Sequence, residues 1–167
     1  MTLIEHIKQC ENHLELIRFP RFNAPEAWRL GNALYQAAQH LGYALAIEIR
    51  VNHTCWFSAL MPGATAENVD WVRRKRNTVD LLGISSWAAG LMLRSRQTTL
   101  AERYGLDSRD YAAFGGSYPL ILEGGTVIGT VSVSGAPQLD DHNLVIKTLG
   151  NMLCLPDSAL VLVPELE

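Results

Sequence analysis

Two pairs of turn residues constrain what this chain can fold into. Asn52-His53 stands between ALAIEIRV and TCWFSAL, and Gly124-Gly125 stands between YPLILE and TVIGTVSVS. The flanking runs are rich in β-branched and aromatic residues. A link this short joins antiparallel strands only, because a parallel crossover needs a dozen or more residues. The second pair also tolerates the positive φ of the primed turns that close tight hairpins. Two hairpins are therefore expected.

The segments around the hairpins read as helices. Thr2 and Glu5 form a capping-box pattern, and Leu3, Ile7, Cys10 and Leu14 follow at helical spacing, giving a first helix over about 2–14. His6 and His13 lie seven residues apart beside that stripe, not three or four, and read as solvated helix histidines. A short strand is read near Glu15 to Phe19. Asn23, Pro25 and Glu26 open a second helix that runs to His40 and closes at Gly42. A third helix is read over 66–82, and a fourth is capped by Ser85 or Ser86. A helical or turn segment follows around Asp107 to Phe114, and a last helix starts at Pro137. The tail after Pro156 reads as loop or as an added edge strand. No βαβ unit repeats, so the class is α+β, an antiparallel sheet covered by helices.

Composition narrows the function. The 167 residues make one domain, 48% apolar and 19% charged, which a packed core accounts for. A net charge of −3 and a pI near 5.9 weigh against a nucleic-acid partner, because phosphate-backbone binding needs an excess of Lys and Arg. Cys10, Cys55 and Cys154 form no CxxC pair, the N-terminus lacks a signal-peptide pattern, and no stretch reaches the roughly 18 apolar residues of a membrane span. A cytoplasmic protein with no membrane partner is expected. GxSxG and HExxH are both absent, so neither a serine nor a zinc hydrolase is indicated.

Three stretches have chemistry to offer. In NVDWVRRKRNTV, Val69, Val72, Arg76 and Val79 make one helical stripe, which directs Arg76 to the covered face and toward a carboxylate or carbonyl partner. Trp71, Arg74, Lys75 and Thr78 share another face, where an aromatic beside two cations suits either a carboxylate-bearing ligand or a solvated subunit contact. In TVIGTVSVS the valines point one way and Thr130, Ser132 and Ser134 the other; the hydroxyl row reads as the solvent side of the sheet or as the lining of a polar pocket. On the last helix Leu139, His142, Ile146 and Leu149 form a stripe, with Asp140 and Asp141 in the first turn, where carboxylates favour the helix dipole. His142 is then either a hydrogen-bonded core histidine or a neutral imidazole able to meet haem iron.

RFNAPEAWRLGNAL, ALMPGATAENVDWVRRKRN, YAAFGGSYPLIL and GTVSVSGAPQLDDHNLVIKTL occur in this order over residues 15–153. Together they resemble an uncharacterised family grouped with the haem-degrading, HbpS-like and GlcG-like domain proteins. The resemblance implies a profilin-like α/β sandwich, with a central antiparallel sheet of about five strands, assembled into a homo-oligomer. It places signature positions on Asn68, Trp71, Arg74, Lys75, Gly115, Gly116, Pro119, Ser134, Gly135, Asp141 and His142. Ala136 stands where a bulkier apolar residue is expected, and the tail 156–167 lies outside the match. In the wider group some relatives bind or degrade haem and others have no demonstrated activity. The expectation is an oligomer binding a carboxylate-bearing small molecule, with haem the candidate: Arg74 and Lys75 would meet the acid groups, His142 would be iron ligand or distal donor, and the two glycine-containing backbones would shape the pocket. The alternative is a non-catalytic scaffold or chaperone-associated protein, in which the same residues build subunit contacts.

Overall fold

The computed structural model describes residues 1–160. Six helices and four strands follow in the order α1 (Leu3–Leu16), α2 (Ala24–Leu41), β1 (Ala46–Val51), β2 (Thr54–Leu60), α3 (Ala66–Leu82), α4 (Ser86–Ser95), α5 (Leu100–Tyr104), β3 (Ser117–Ile121), β4 (Val127–Ser134) and α6 (Gln138–Met152). The sheet order is β2-β1-β4-β3, and every named pairing is antiparallel. Both hairpins form where the turn pairs place them. The central pair β1–β4 brings the two hairpins together.

The sheet has four strands, not five. Glu15 and Leu16 continue α1, and Phe19 contributes a single parallel bridge to Leu122, through Phe19 N to Ile121 O at 2.8 Å and Glu123 N to Phe19 O at 2.9 Å. Pro20 follows at once and has no N–H with which to extend a ladder. The short helix α5, which no periodicity announces in five residues, is set by the Thr99 cap and by Gly105 at φ 68°. Residues 107–114 form turns and bends, and 156–160 form a turn. The rest of the tail lies outside the described residues.

Alternation along the strands sorts two unlike faces. Ile47, Ile49, Val131, Val133, Tyr118 and Leu120 point to the side covered by α2 and α6, where they join Leu30, Leu34, Ile146 and Leu149 in the main core. Ser117, Thr130 and Ser132 point to the other side. That side is not solvent-facing, because α3 lies across it and Thr130 and Ser132 are buried. The hydroxyls are satisfied within the layer, Ser117 Oγ and Ser132 Oγ lying 2.7 Å apart. The inward stripe of α3 is correspondingly rotated: Val72, Lys75, Thr78 and Val79 are buried, while Val69 is 49% exposed. A hydroxyl-bearing sheet surface accepts Lys and Thr where a methyl surface would reject them. Arg76 does reach a carboxylate on the covered side, Glu48 at 2.7 Å.

His6 and His13 correct the expectation of solvated histidines. Both are buried, on the face of α1 that carries Cys10 and packs toward Trp87 and Leu91 of α4. Spacing puts residues 6, 10 and 13 on one stripe and Leu3, Ile7, Cys10 and Leu14 on another, with Cys10 common to both; Leu3 and Ile7 pack on the Cys10, Trp87 and Leu91 cluster and Leu14 on the main core, so both stripes are covered.

Gly129 lets the two central strands close together at one end of their ladder. A Cβ there would lie 1.9 Å from the carbonyl oxygen of Arg50 in β1, so only glycine allows the two strands this close approach. Gly129→Ala is expected to cost about 1–3 kcal/mol, the usual range for overpacking, which a urea denaturation curve would measure; an unchanged midpoint would refute the close approach.

Candidate functional site

The site lies at the end of the sheet where β4 runs into α6, and α3 supplies most of it. Thr65 caps α3, and its backbone N–H donates to Asn68 Oδ1 at 3.0 Å, which fixes Asn68 at the mouth of a cavity of about 320 Å³. Trp71, Lys75, Ser134, Gly135 and Asp141 line the same cavity. Six of the ten residues expected to bind a ligand are thus brought together from three parts of the chain.

Lys75 does not behave as a surface cation. Its side chain is 4% exposed, and its ammonium donates to Gly115 O at 2.8 Å, Val133 O at 3.1 Å and Asp141 Oδ2 at 3.2 Å. All three donors of the ammonium have acceptors. Asp141 Oδ1 accepts from Ala136 N at 3.2 Å, so this carboxylate supplies the helix-start contact that Ala136 and Pro137 cannot. Burial pulls the Lys75 ammonium below its ordinary range, with Asp141 opposing. Burial likewise pushes the Asp141 carboxyl up to about 6, against the pull of Lys75 and the backbone N–H of Ala136. Lys75 and Asp141 therefore neutralise each other, and the expectation that Lys75 points outward with Arg74 is corrected.

The Gly115-Gly116 backbone makes this burial possible. A Cβ on Gly115 would stand 2.2 Å from Gln138 O, and one on Gly116, at φ 131°, would stand 2.7 Å from Lys75 Nζ. Gly115 N also donates to Gln138 Oε1 at 3.1 Å, tying the loop to α6. The two glycines seat the loop against α6 and the ammonium and are not cavity wall.

Arg74 faces a neighbouring hollow. Its guanidinium lies 3.9 Å from the centroid of Trp71 and donates to Asp70 Oδ2 at 2.9 Å. It lines a cavity of about 420 Å³ with Trp71, Arg94, Leu93, Tyr111 and Phe114. A third hollow of about 190 Å³ lies between Trp87, Arg94, Phe114 and Gln138. All three share Phe114, which is 47% exposed and meets Trp71 edge-on with ring centroids 5.5 Å apart. The hollows form one groove around Phe114, neutral at the Lys75–Asp141 end and cationic at the Arg74–Arg94 end. Arg94 has no ion-pair partner among the described residues.

His142 lies behind the groove. It is 1% exposed, its ring is stacked on Trp87 at 6.1 Å and 30°, and its Nε2 finds no hydrogen-bond partner. Burial, with a smaller contribution from His13, lowers its pKa to about 3, so the imidazole is neutral. It lines none of the three hollows. Among the described residues no group of three or more His, Cys, Asp or Glu side chains is placed to hold a metal ion, and no helix is long and apolar enough to cross a membrane.

Sequence reasoning missed Arg94, Phe114 and Gln138. One signal pointed to them: Gly90 interrupts an otherwise good helix, and a Cβ there would lie 2.5 Å from Ala113 O. A mid-helix glycine of this kind marks a close approach, here of the loop that carries Phe114.

Over residues 22–150 the sequence matches the family described as Haem degrading protein HbpS-like. The chain belongs to that family. This HbpS-like chain is 51% identical over 166 residues to the UPF0303 protein YE1367 of Yersinia enterocolitica, with 99% of each chain covered. Its fold is similar to the crystal structure of Ybr137w protein, at TM-score 0.81 and 24% identity over 87% of this chain and 88% of that one. It is also similar to PduOC in its haem complex, at TM-score 0.66 and 21% identity over 77% and 93%. The family match leaves out α1 and the C-terminal tail.

The buried pair makes a stability prediction. Asp141→Ala leaves the Lys75 ammonium uncompensated and is expected to cost about 3–5 kcal/mol, whereas Lys75→Met with Asp141→Leu restores part of that loss. The native state holds the Asp141 proton more tightly than the unfolded chain, whose carboxyl titrates near its ordinary value of about 3.9. The Asp141 contribution is therefore full below that pH and is lost as pH rises to about 6. Denaturation curves from pH 4 to 7 should show this slope in the wild type and lack it in Asp141→Asn.

Proposed function

We propose that this HbpS-like domain binds a planar, largely apolar molecule carrying carboxylates in the groove around Phe114, with haem as the candidate. The observation that carries the reading is that Arg94, unpaired among the described residues, and Arg74, paired with Asp70, both line a hollow walled by Trp71, Tyr111, Phe114 and Leu93. Aromatic faces suit a flat ring system, and guanidinium forks suit carboxylates. Family membership and the haem complex of a structural neighbour point to the same ligand class.

The groove fits the ring and the acid groups of haem better than its iron. Bound haem would bring redox chemistry at iron; among the described residues lining the three hollows there is no histidine, cysteine or methionine, and Tyr111 is the side chain whose oxygen could ligate the metal. His142 is stacked on Trp87 and lines none of the hollows, so the side chains present support binding of the porphyrin. Titration with haemin and with iron-free protoporphyrin IX separates the two contributions. Comparable affinities are expected, and Arg74→Gln or Arg94→Gln should each weaken binding by about 1.5–3 kcal/mol, the loss of one charge-assisted hydrogen bond. His142→Ala should alter the Soret band only if His142 meets the iron. Failure of both porphyrins to bind at micromolar concentration would refute the reading.

A second reading, assembly with other copies of the chain, has its own support. Strand β2 is a sheet edge without a charged residue, and Trp28, Trp56 and Leu60 beside it are 66%, 40% and 54% exposed. Monomeric proteins blunt such edges with charges or proline. Light scattering is expected to give a multiple of 18.5 kDa; a monomer at that mass would refute self-association.

A further inference from the structure

At the opposite end of the sheet from Ser134 and Gly135 lies another cavity, of about 640 Å³. Its floor is Val51, Ile128 and Gly129, and its walls are the loop 20–23, the turn Asn52-His53 and Asp80 near the end of α3. It shares no residue with the groove around Phe114.

The strands that lead to this cavity are irregular. The β1–β2 register slips between Ile49 and Arg50, and the β3–β4 register slips between Leu120 and Ile121. Bulges re-aim side chains and recur beside binding sites. The hairpin turn places Asn52 at φ 49° and His53 at φ 60°. A two-residue hairpin turn needs positive φ at both central residues, which Asn and His adopt more readily than most side chains, and the turn sets both residues in the lining of the cavity.

Two opposite charges facing the cavity lack an ion-pair partner among the described residues. Arg50 donates to the carbonyl of His53 but has no carboxylate partner among the described residues. Arg18, Arg21, Arg29, Arg73, Arg74 and Arg76 each have one. Asp80 is the one carboxylate in the lining, and it too has no hydrogen bond or ion pair among the described residues. The two opposite charges line one cavity, lie within electrostatic reach of each other, and do not pair. The space between them is the span a ligand would bridge.

We propose that this cavity binds a small monoanionic carboxylic acid that carries a hydroxyl or amine donor and an apolar group. Its carboxylate meets the Arg50 guanidinium, with Arg21 and His53 on the same rim. The donor is accepted by Asp80, and the apolar part lies on Val51 and Ile128. A dianion is rejected because its second charge would face Asp80.

The test uses the 167-residue protein and three probes: mandelate, phenylacetate, which lacks the hydroxyl, and phenylsuccinate, a dianion whose second carboxylate would face Asp80. Amide NMR shifts of Asn52, His53 and Thr54 report the site. Mandelate should shift them saturably, with phenylacetate and phenylsuccinate each about tenfold weaker. Arg50→Gln should weaken mandelate by about tenfold or more, Arg50→Lys should keep part of the affinity, and Asp80→Ala should erase the preference for mandelate over phenylacetate. Arg94→Gln, in the other groove, should leave these shifts unchanged. The proposal is overturned if the shifts do not saturate, if mandelate and phenylacetate bind the wild type equally, or if Arg50→Gln binds like the wild type. Because Arg50→Lys keeps the charge, a folding defect confined to Arg50→Gln would not imitate loss of the site.

Discussion

A buried ammonium organises one end of this molecule. Lys75 projects from α3 and is held by the loop carbonyl of Gly115, the β4 carbonyl of Val133 and the α6 carboxylate of Asp141. A charge out of water is tolerated only when its donors are satisfied and a counter-charge is near. Four segments distant in sequence must therefore meet at one atom. The two glycines before β3 follow from this demand, since a side chain on Gly116 would occupy the space of the ammonium.

The same constraint explains the two faces of the sheet. One face is a conventional apolar core under α2 and α6. The other is lined with hydroxyls and covered by a helix whose buried stripe includes Lys75 and Thr78. Lys75 donates to the β4 carbonyl of Val133 and Arg76 to the β1 carboxylate of Glu48, so α3 is positioned by directional bonds as well as by area removed from water. Directional bonding leaves less rotational freedom than apolar packing does. This is how Arg74 and Trp71, one residue and four residues before Lys75 along α3, come to face the Phe114 groove in a fixed orientation.

The functional consequence is a division of charge. Lys75 and Asp141 cancel, and Arg74 is partly engaged by Asp70 and by the Trp71 ring. Among the described residues, Arg94 and Arg50 line the two cavities without an ion-pair partner. The proposed binding of acids would therefore rest less on the dense basic run of α3 than on these single arginines. A basic cluster in sequence overstates the charge available once ion pairs have formed.

Local chemistry in the sequence was enough to determine the elements. Turn pairs, caps and periodicity give both hairpins, the bounds of α3 over 66–82 and the placement of His142 on the covered face of α6, because each depends on residues within a few positions of one another. Most of the candidate site was legible too: Asn68, Trp71, Lys75, Ser134, Gly135 and Asp141 do line one cavity. Tertiary structure decided the rest. Whether Lys75 faces water or Asp141, whether Thr130 and Ser132 are solvent-exposed or buried, and whether His6 and His13 lie out or in depend on which element packs on which face. A period of 3.6 or 2 names the residues that share a face, but only the partner lying across that face determines whether it is covered.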